Sequence, residues 1–157
     1  MNTLKKISSL FILALIGCNS ATDTGNQSIP LEASVNKDGF IYTLTLSKIT
    51  FELADTLKGS FKVTNQSGNS KRFDFANVQQ LGFKLYDSEG KVSIFYPFVV
   101  SPALSSLELQ NGDSKVYELL SRFKNHNGDF VNRSQYKFSV FLLDNNSPEV
   151  SLIISIK

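Results

Sequence analysis

The sequence predicts an all-β domain, a sandwich of mainly antiparallel strands. Three observations predict it. From Leu31 onward, apolar and polar residues alternate with a period of two rather than 3.6. That spacing places alternate side chains on one buried face of a strand. Clusters of Asn, Asp, Ser and Gly separate the alternating runs, and these residues accept positive φ or hydrogen-bond their own backbone in turns. Twelve of the 13 phenylalanines follow Cys18, enough apolar volume for a core between two sheets.

The first strand falls near 31–36 and ends at the turn Asn36-Lys37-Asp38-Gly39. The second covers 40–53, with a break near Lys48. Here Phe40, Tyr42, Leu44 and Leu46 alternate with Ile41, Thr43, Thr45 and Ser47. Strand 57–65 alternates Phe61 and Val63 with Ser60, Lys62 and Thr64, then stops at Asn65-Gln66-Ser67-Gly68-Asn69. Strands 71–76, 80–86 and 91–96 follow, the last two separated by Asp87-Ser88-Glu89-Gly90. Asn111-Gly112-Asp113 introduces strand 114–121; a helix is conceivable only around Val116 to Asn125, whose first half reads as part of this strand. Strand 134–144 presents Tyr136, Phe138, Val140 and Leu142 on one side, and strand 149–157 presents Val150, Leu152, Ile154 and Ile156. Seven to nine mainly antiparallel strands of this length fit an immunoglobulin-like β-sandwich. Tyr136, opening the strongest late strand, is either a tyrosine corner bonded to an upstream carbonyl or a plain core tyrosine.

Before this domain the chain reads differently. Lys5 and Lys6 precede the apolar run Leu10 to Ile16, which leads into Gly17-Cys18. A secretory signal has a basic start and an apolar segment of roughly 7 to 15 residues, shorter than the about 20 needed to span a bilayer. Leu15-Ile16-Gly17-Cys18 resembles the lipobox of bacterial lipoproteins, and Cys18 is the only cysteine. The resemblance implies cleavage before Cys18, diacylation of its thiol and acylation of the new amino group. Two or three acyl chains anchor stably where one binds marginally. The expected organisation is a signal peptide at 1–17, an acylated cysteine and tether at 18–30, and the sandwich at 31–157. The expected partner of Cys18 is the membrane, and the expected location is the cell envelope. Asn19 in place of Asp points to the outer membrane if the source is Gram-negative. The alternative is an ordinary cleaved signal with a chance cysteine.

The segment Asn19 to Pro30 has almost no apolar surface to bury, the composition of disorder. Its 12 residues would average roughly 20 Å end to end as a coil. Without Lys5 and Lys6 the chain holds 14 basic and 14 acidic residues. A neutral domain with dispersed charge carries no electrostatic signature of nucleic-acid binding. With one thiol, an intrachain disulfide is impossible, so burial must hold the domain together.

Further residues carry a second resemblance. They are Leu57-Lys58-Gly59-Ser60-Phe61-Lys62-Val63-Thr64-Asn65, Lys71-Arg72-Phe73-Asp74-Phe75, Phe83-Lys84-Leu85-Tyr86-Asp87 with Glu89-Gly90-Lys91, Leu107-Glu108-Leu109, Asn111-Gly112-Asp113 and Tyr136-Lys137-Phe138-Ser139-Val140. From Leu44 to Leu143 this order resembles the intracellular proteinase inhibitor domain of the BsuPI type, an immunoglobulin-like sandwich. It implies that fold and suggests inhibition of a protease. The chain departs from that family in its export leader, its lack of tryptophan, and Asn132-Arg133-Ser134-Gln135 where a glycine usually precedes the late tyrosine. No inhibitory residue set carries over.

Chemistry-bearing residues are sparse. His126 is the only histidine and lies in a polar stretch, the setting of a solvated surface residue. No Gly-x-Ser-x-Gly elbow or phosphate-binding glycine loop occurs. Asn127-Gly128-Asp129 offers too few oxygen ligands for a calcium loop. No catalytic residue, cofactor or metal is expected. One segment stands out: Pro97-Phe98-Val99-Val100-Ser101-Pro102-Ala103-Leu104 is apolar and uncharged. It is either a crossover whose Phe98, Val100 and Leu104 cap the core, or an exposed patch for a partner. In the second reading Phe98, Val99, Val100, Ala103 and Leu104 form the binding loop. Tyr42, Tyr86, Tyr96 and Tyr117 would offer a sugar-stacking face in a minor carbohydrate-binding alternative. The leading expectation is a lipid-anchored, non-enzymatic interaction module, with a proteinase inhibitor of an envelope protease as the alternative.

Overall fold

The computed structural model describes residues 31–99 and 101–157. The expected signal peptide at 1–17, Cys18, the expected tether and Val100 lie outside the described residues. Eleven strands follow one another: β1 (Glu32–Lys37), β2 (Phe40–Leu46), β3 (Thr50–Phe51), β4 (Thr56–Asn65), β5 (Lys71–Phe75), β6 (Leu81–Tyr86), β7 (Val92–Tyr96), β8 (Ser105–Leu109), β9 (Ser114–Arg122), β10 (Ser134–Leu142) and β11 (Val150–Ile156). One sheet has the order β1-β2-β4-β9 and the other β3-β11-β10-β6-β7, with β5 and β8 as a separate ribbon. Every pairing is antiparallel except the short one that sets Thr50 and Phe51 beside Ser155 and Ile156. The domain is an immunoglobulin-like β-sandwich.

The strand count exceeds nine for two local reasons. The 40–53 segment divides at Ser47–Ile49, so that β2 joins one sheet and β3 the other. Ser105–Leu109 is a strand as well; its apolar–polar alternation is too short to mark it, and pairing with β5 supplies the order. Val116–Asn125 contains no helix: its first part is β9, whose residues pair one by one with β4.

Alternation decides which side chains enter the core. Phe40, Tyr42, Leu44 and Leu46 of β2 are all buried, as are Tyr136, Phe138, Val140 and Leu142 of β10. Phe83 and Phe138 meet at 5.5 Å between ring centroids, and Phe51 meets Phe123 edge-on at 5.2 Å. The ribbon closes one end: Phe73 packs edge-on against Phe40 at 5.2 Å, and the Lys71 ammonium covers both rings at 4.9 and 5.0 Å. The β1–β2 hairpin turns on Asp38 and Gly39, both at positive φ, as a two-residue Asp-Gly loop requires.

Tyr136 forms the corner bond. Its hydroxyl donates to the Asn132 carbonyl at 2.9 Å. Burial, with Asp87 nearby, raises its pKa, so the phenol stays a donor.

Among the described residues Asn65 is the one fully buried side-chain amide, at 0% exposure. Its Nδ2 donates to the carbonyls of Asn69 (2.7 Å) and Leu109 (2.9 Å). Its Oδ1 accepts from the Ser67 amide (2.9 Å) and the Ser67 hydroxyl (2.7 Å). One side chain therefore closes the β4–β5 turn and ties the ribbon to the sheet. Asn65→Asp keeps the shape but replaces the two donors with acceptors facing carbonyls. It should destabilise the domain by about 3 kcal/mol or more, read as a lower urea midpoint. A midpoint equal to wild type would remove Asn65 from this role.

Candidate functional site

The exposed edge of the second sheet is β7. It pairs with β6 on one side only. Ile94 points into the core, whereas Phe95 and Tyr96 are about half exposed. Beyond Tyr96 the chain turns back along this edge. Phe98 packs edge-on against Phe95 at 5.2 Å, and its ring lies 6.4 Å from that of His126. Phe98 is 43% exposed, Val99 81% and Leu104 89%; Ala103 is exposed too. The core-capping alternative therefore fails for Phe98 and Leu104: β8 and β5 close that end of the core instead. The loop is held to the domain by Gln79, whose Oε1 accepts from the Ser101 amide at 3.3 Å.

Below this ridge an open groove of about 740 Å³ runs between β7 and the Phe123–Arg133 connection, lined by Val92, Phe95, His126, Phe130 and Arg133 among others. The connection carries its own turn. Asn125 Oδ1 accepts from the amides of Asn127 (2.9 Å) and Asp129 (3.0 Å). Its amide oxygen is thus committed to the backbone rather than to a cation. Among the described residues, no three His, Cys, Asp or Glu side chains are placed to share a metal ion. His126 is exposed, and its ring meets Phe98 rather than a carboxylate.

The four tyrosines do not share a face. Tyr42 is buried in the core, where desolvation and then Asp144 push its pKa up to about 12. Tyr86 lies on the outer face of the second sheet and donates to Glu149 at 3.1 and 3.2 Å. Only Tyr96 and Tyr117 meet, in a groove of about 540 Å³ between the two sheet edges. There one ring face of Tyr96 is already stacked on Phe83 at 5.1 Å. The Tyr117 hydroxyl donates to Gln80 at 2.9 Å, and burial pushes its pKa up to about 12.

The densest polar cluster is elsewhere, on the outer face of β6, β10 and β11. The Lys84 ammonium donates to Glu149 at 3.0 Å and lies 4.8 Å above the Phe141 ring. That ring occupies the space a Cβ on Gly82 would need. Ser139, fully buried between Lys84 and Ser151 in register, shares a 2.7 Å hydrogen bond with Ser151. A lysine near a serine suggests a nucleophile and its base. The electrostatics oppose it: the hydrogen bond to Glu149 raises the Lys84 pKa, so the amine stays protonated. Burial keeps the Ser139 hydroxyl from any substrate. The cluster is an ion-pair network covering a sheet face. Sequence inspection missed it because its members come from three distant strands, and only the register brings them together.

No family model matches the chain, and no curated protein does. Solved structures show weak likeness. A β-glucosidase from Erythrobacter marinus is 17% identical with a TM-score of 0.48, over 75% of this chain and 15% of that one. An alkylpurine DNA glycosylase of Pseudomonas fluorescens bound to DNA is 10% identical with a TM-score of 0.48, over 73% and 29%. The CARDB domain of a Pyrococcus furiosus protein, in complex with di-metal ions, is 11% identical with a TM-score of 0.41, over 73% and 84%. The chain thus spans about a seventh of the glucosidase. Similarity at this level carries no argument about what the chain binds or catalyses.

Partial burial opposes ionisation of Glu149, but the hydrogen bonds from Lys84 and Tyr86 outweigh it and hold its pKa below the usual value. A depressed carboxyl stabilises the fold above its unfolded pKa and loses that contribution as pH falls through the folded value. Glu149→Gln should therefore lie about 0.5 kcal/mol below wild type at neutral pH. The gap should close as pH drops to about 3, below the carboxylate range. Urea titrations of both proteins at the two pH values measure it.

Proposed function

We propose that this protein is a lipid-anchored, non-enzymatic interaction module of the cell envelope. It is held by acyl chains on Cys18 and contacts an envelope component through the ridge built from Phe95, Phe98 and Val99. The observation that carries the contact surface is the exposure of Val99 beside the Phe95–Phe98 pair, with Leu104 exposed further along the same loop. Leaving large apolar side chains in water costs free energy that burial against a partner recovers. The anchor is supported by the order Lys5-Lys6, Leu10 to Ile16, Gly17-Cys18. The non-enzymatic reading is supported by the Lys84–Glu149 pair and the inaccessible Ser139, the described arrangement nearest to a catalytic one. A protease as the partner is the inhibitor reading, which rests on the sequence resemblance alone.

Two measurements test the proposal. Cys18→Ala should abolish incorporation of radiolabelled fatty acid and release the protein from the membrane fraction; continued labelling would contradict the anchor. Phe98→Ser, Val99→Ser and Leu104→Ser should each shift stability by no more than about 0.5 kcal/mol, as exposed substitutions do. Unfolding of these variants would return the three residues to the core.

A further inference from the structure

The uncharged stretch around the ridge is longer than the loop itself. From Val92 to Leu104, thirteen residues carry no Asp, Glu, Lys or Arg. Their only polar side chains are Ser93, Tyr96 and Ser101. A protein–protein interface of ordinary size has a polar rim and about one hydrogen bond per 100–200 Å²; this surface has little with which to make them. Apolar and aromatic side chains without hydrogen-bonding duties match the headgroup–acyl boundary of a bilayer instead.

The placement of the tether points the same way. Twelve residues, Asn19 to Pro30, separate Cys18 from the domain, and a chain of that length reaches at most about 40 Å. It joins the sandwich at Leu31, whose carbonyl accepts from the Leu46 amide at 2.8 Å. Leu46 lies opposite Gly59, and Gly59 opposite Leu119. The chain therefore enters at the end where β4 begins and β9 finishes. The Phe123–Arg133 connection leaves β9 from that end, and its His126 touches Phe98. Three strand spacings, about 15 Å, separate β1 from β9 in the sheet order. The reach of the tether exceeds that distance.

Charge in the groove beside the ridge is balanced. Lys91 and Arg133 line it together with Asp87 and Glu89, and the Lys124 ammonium lies 4.5 Å above the Phe130 ring. Attraction to anionic headgroups is therefore not the driving term; apolar insertion is.

We infer that the component contacted by the ridge is the lipid surface itself: Phe98 and Val99 insert at the interface of the bilayer that holds Cys18. This rests on the anchored reading above. It makes the domain lie on the membrane by one edge rather than float from its tether, leaving the β9 edge and the outer face of the first sheet free.

The chain has no tryptophan and one thiol, which makes the test direct. The probe is the chain from Cys18 to Lys157 with Phe98→Trp, coupled through the Cys18 thiol to maleimide-headgroup lipid in phosphatidylcholine vesicles. Emission should shift to the blue and be quenched by brominated phosphatidylcholine, with little dependence on salt or added phosphatidylglycerol. Val116→Trp, on the outer face of β9, should show neither effect. Adding Phe95→Ser and Val99→Ser to the Phe98→Trp protein should abolish the quenching. Emission unchanged from the protein free in solution overturns the inference. A blue shift seen only in native envelope vesicles, without quenching in lipid alone, also overturns it and assigns the ridge to a protein. Because the thiol is coupled chemically, the result is independent of whether Cys18 is acylated in the cell. Failure of the anchor and failure of the docking are thus distinguishable.

Discussion

Burial has to hold this domain together, because a chain with a single thiol can form no disulfide within itself. The rest of the structure follows from that constraint. Aromatic side chains fill the space between the sheets: Phe40 and Phe61 from one, Phe83 and Phe138 from the other, with Phe51 and Phe123 closing one end. Close packing of large rings is felt at the scale of single methylene groups. The glycines and turns then serve the packing: Gly82 is bare because Phe141 lies where its side chain would be. The fully buried amide of Asn65 is tolerated because all four of its hydrogen-bonding capacities are used, leaving no desolvated group unpaired.

With the interior so committed, function is left to the periphery. The two sheets share one open side, bounded by the edge strands β7 and β9. Unpaired edges are usually blunted by charge or proline. β9 carries Lys115, Glu118 and Arg122, whereas β7 carries no charge at all and leads into the Pro97–Leu104 loop. That asymmetry distinguishes the two edges. A solvated edge needs charges; an edge covered by lipid or a partner must lack them. The proposed lipid anchor would add a geometric reason for this arrangement, since a tethered domain meets the bilayer far more often than a free one.

Much of the fold was legible in the sequence because strand alternation is a local signal. β2, β4, β10 and β11 each show it over seven residues or more, and each lies where the alternation puts it. β8 was not legible, because Leu107-Glu108-Leu109 is too short to stand out and owes its order to β5 across the ribbon. The switch of β3 between sheets was visible only as a break near Lys48. For the site, composition marked the 97–104 loop, but not whether it faced the core or solvent. Exposure depends on what else reaches the core end, and β5 and β8 reach it first. The tyrosine count suggested a shared face that the register divides among the core, an outer face and a groove. The Lys84–Glu149–Ser139 cluster left no sequence signal, since its contacts are all across strands.

Native-state hydrogen exchange tests most directly the division between a self-sufficient aromatic core and an uncommitted apolar edge. In the free protein, amides of Tyr42, Leu44, Phe61, Phe138 and Val140 should exchange only through global unfolding. Those of Phe98, Val99 and Leu104 should exchange almost as fast as an unfolded chain. Protection of the loop amides at the level of β10 would contradict the account, because it would make the loop part of the core.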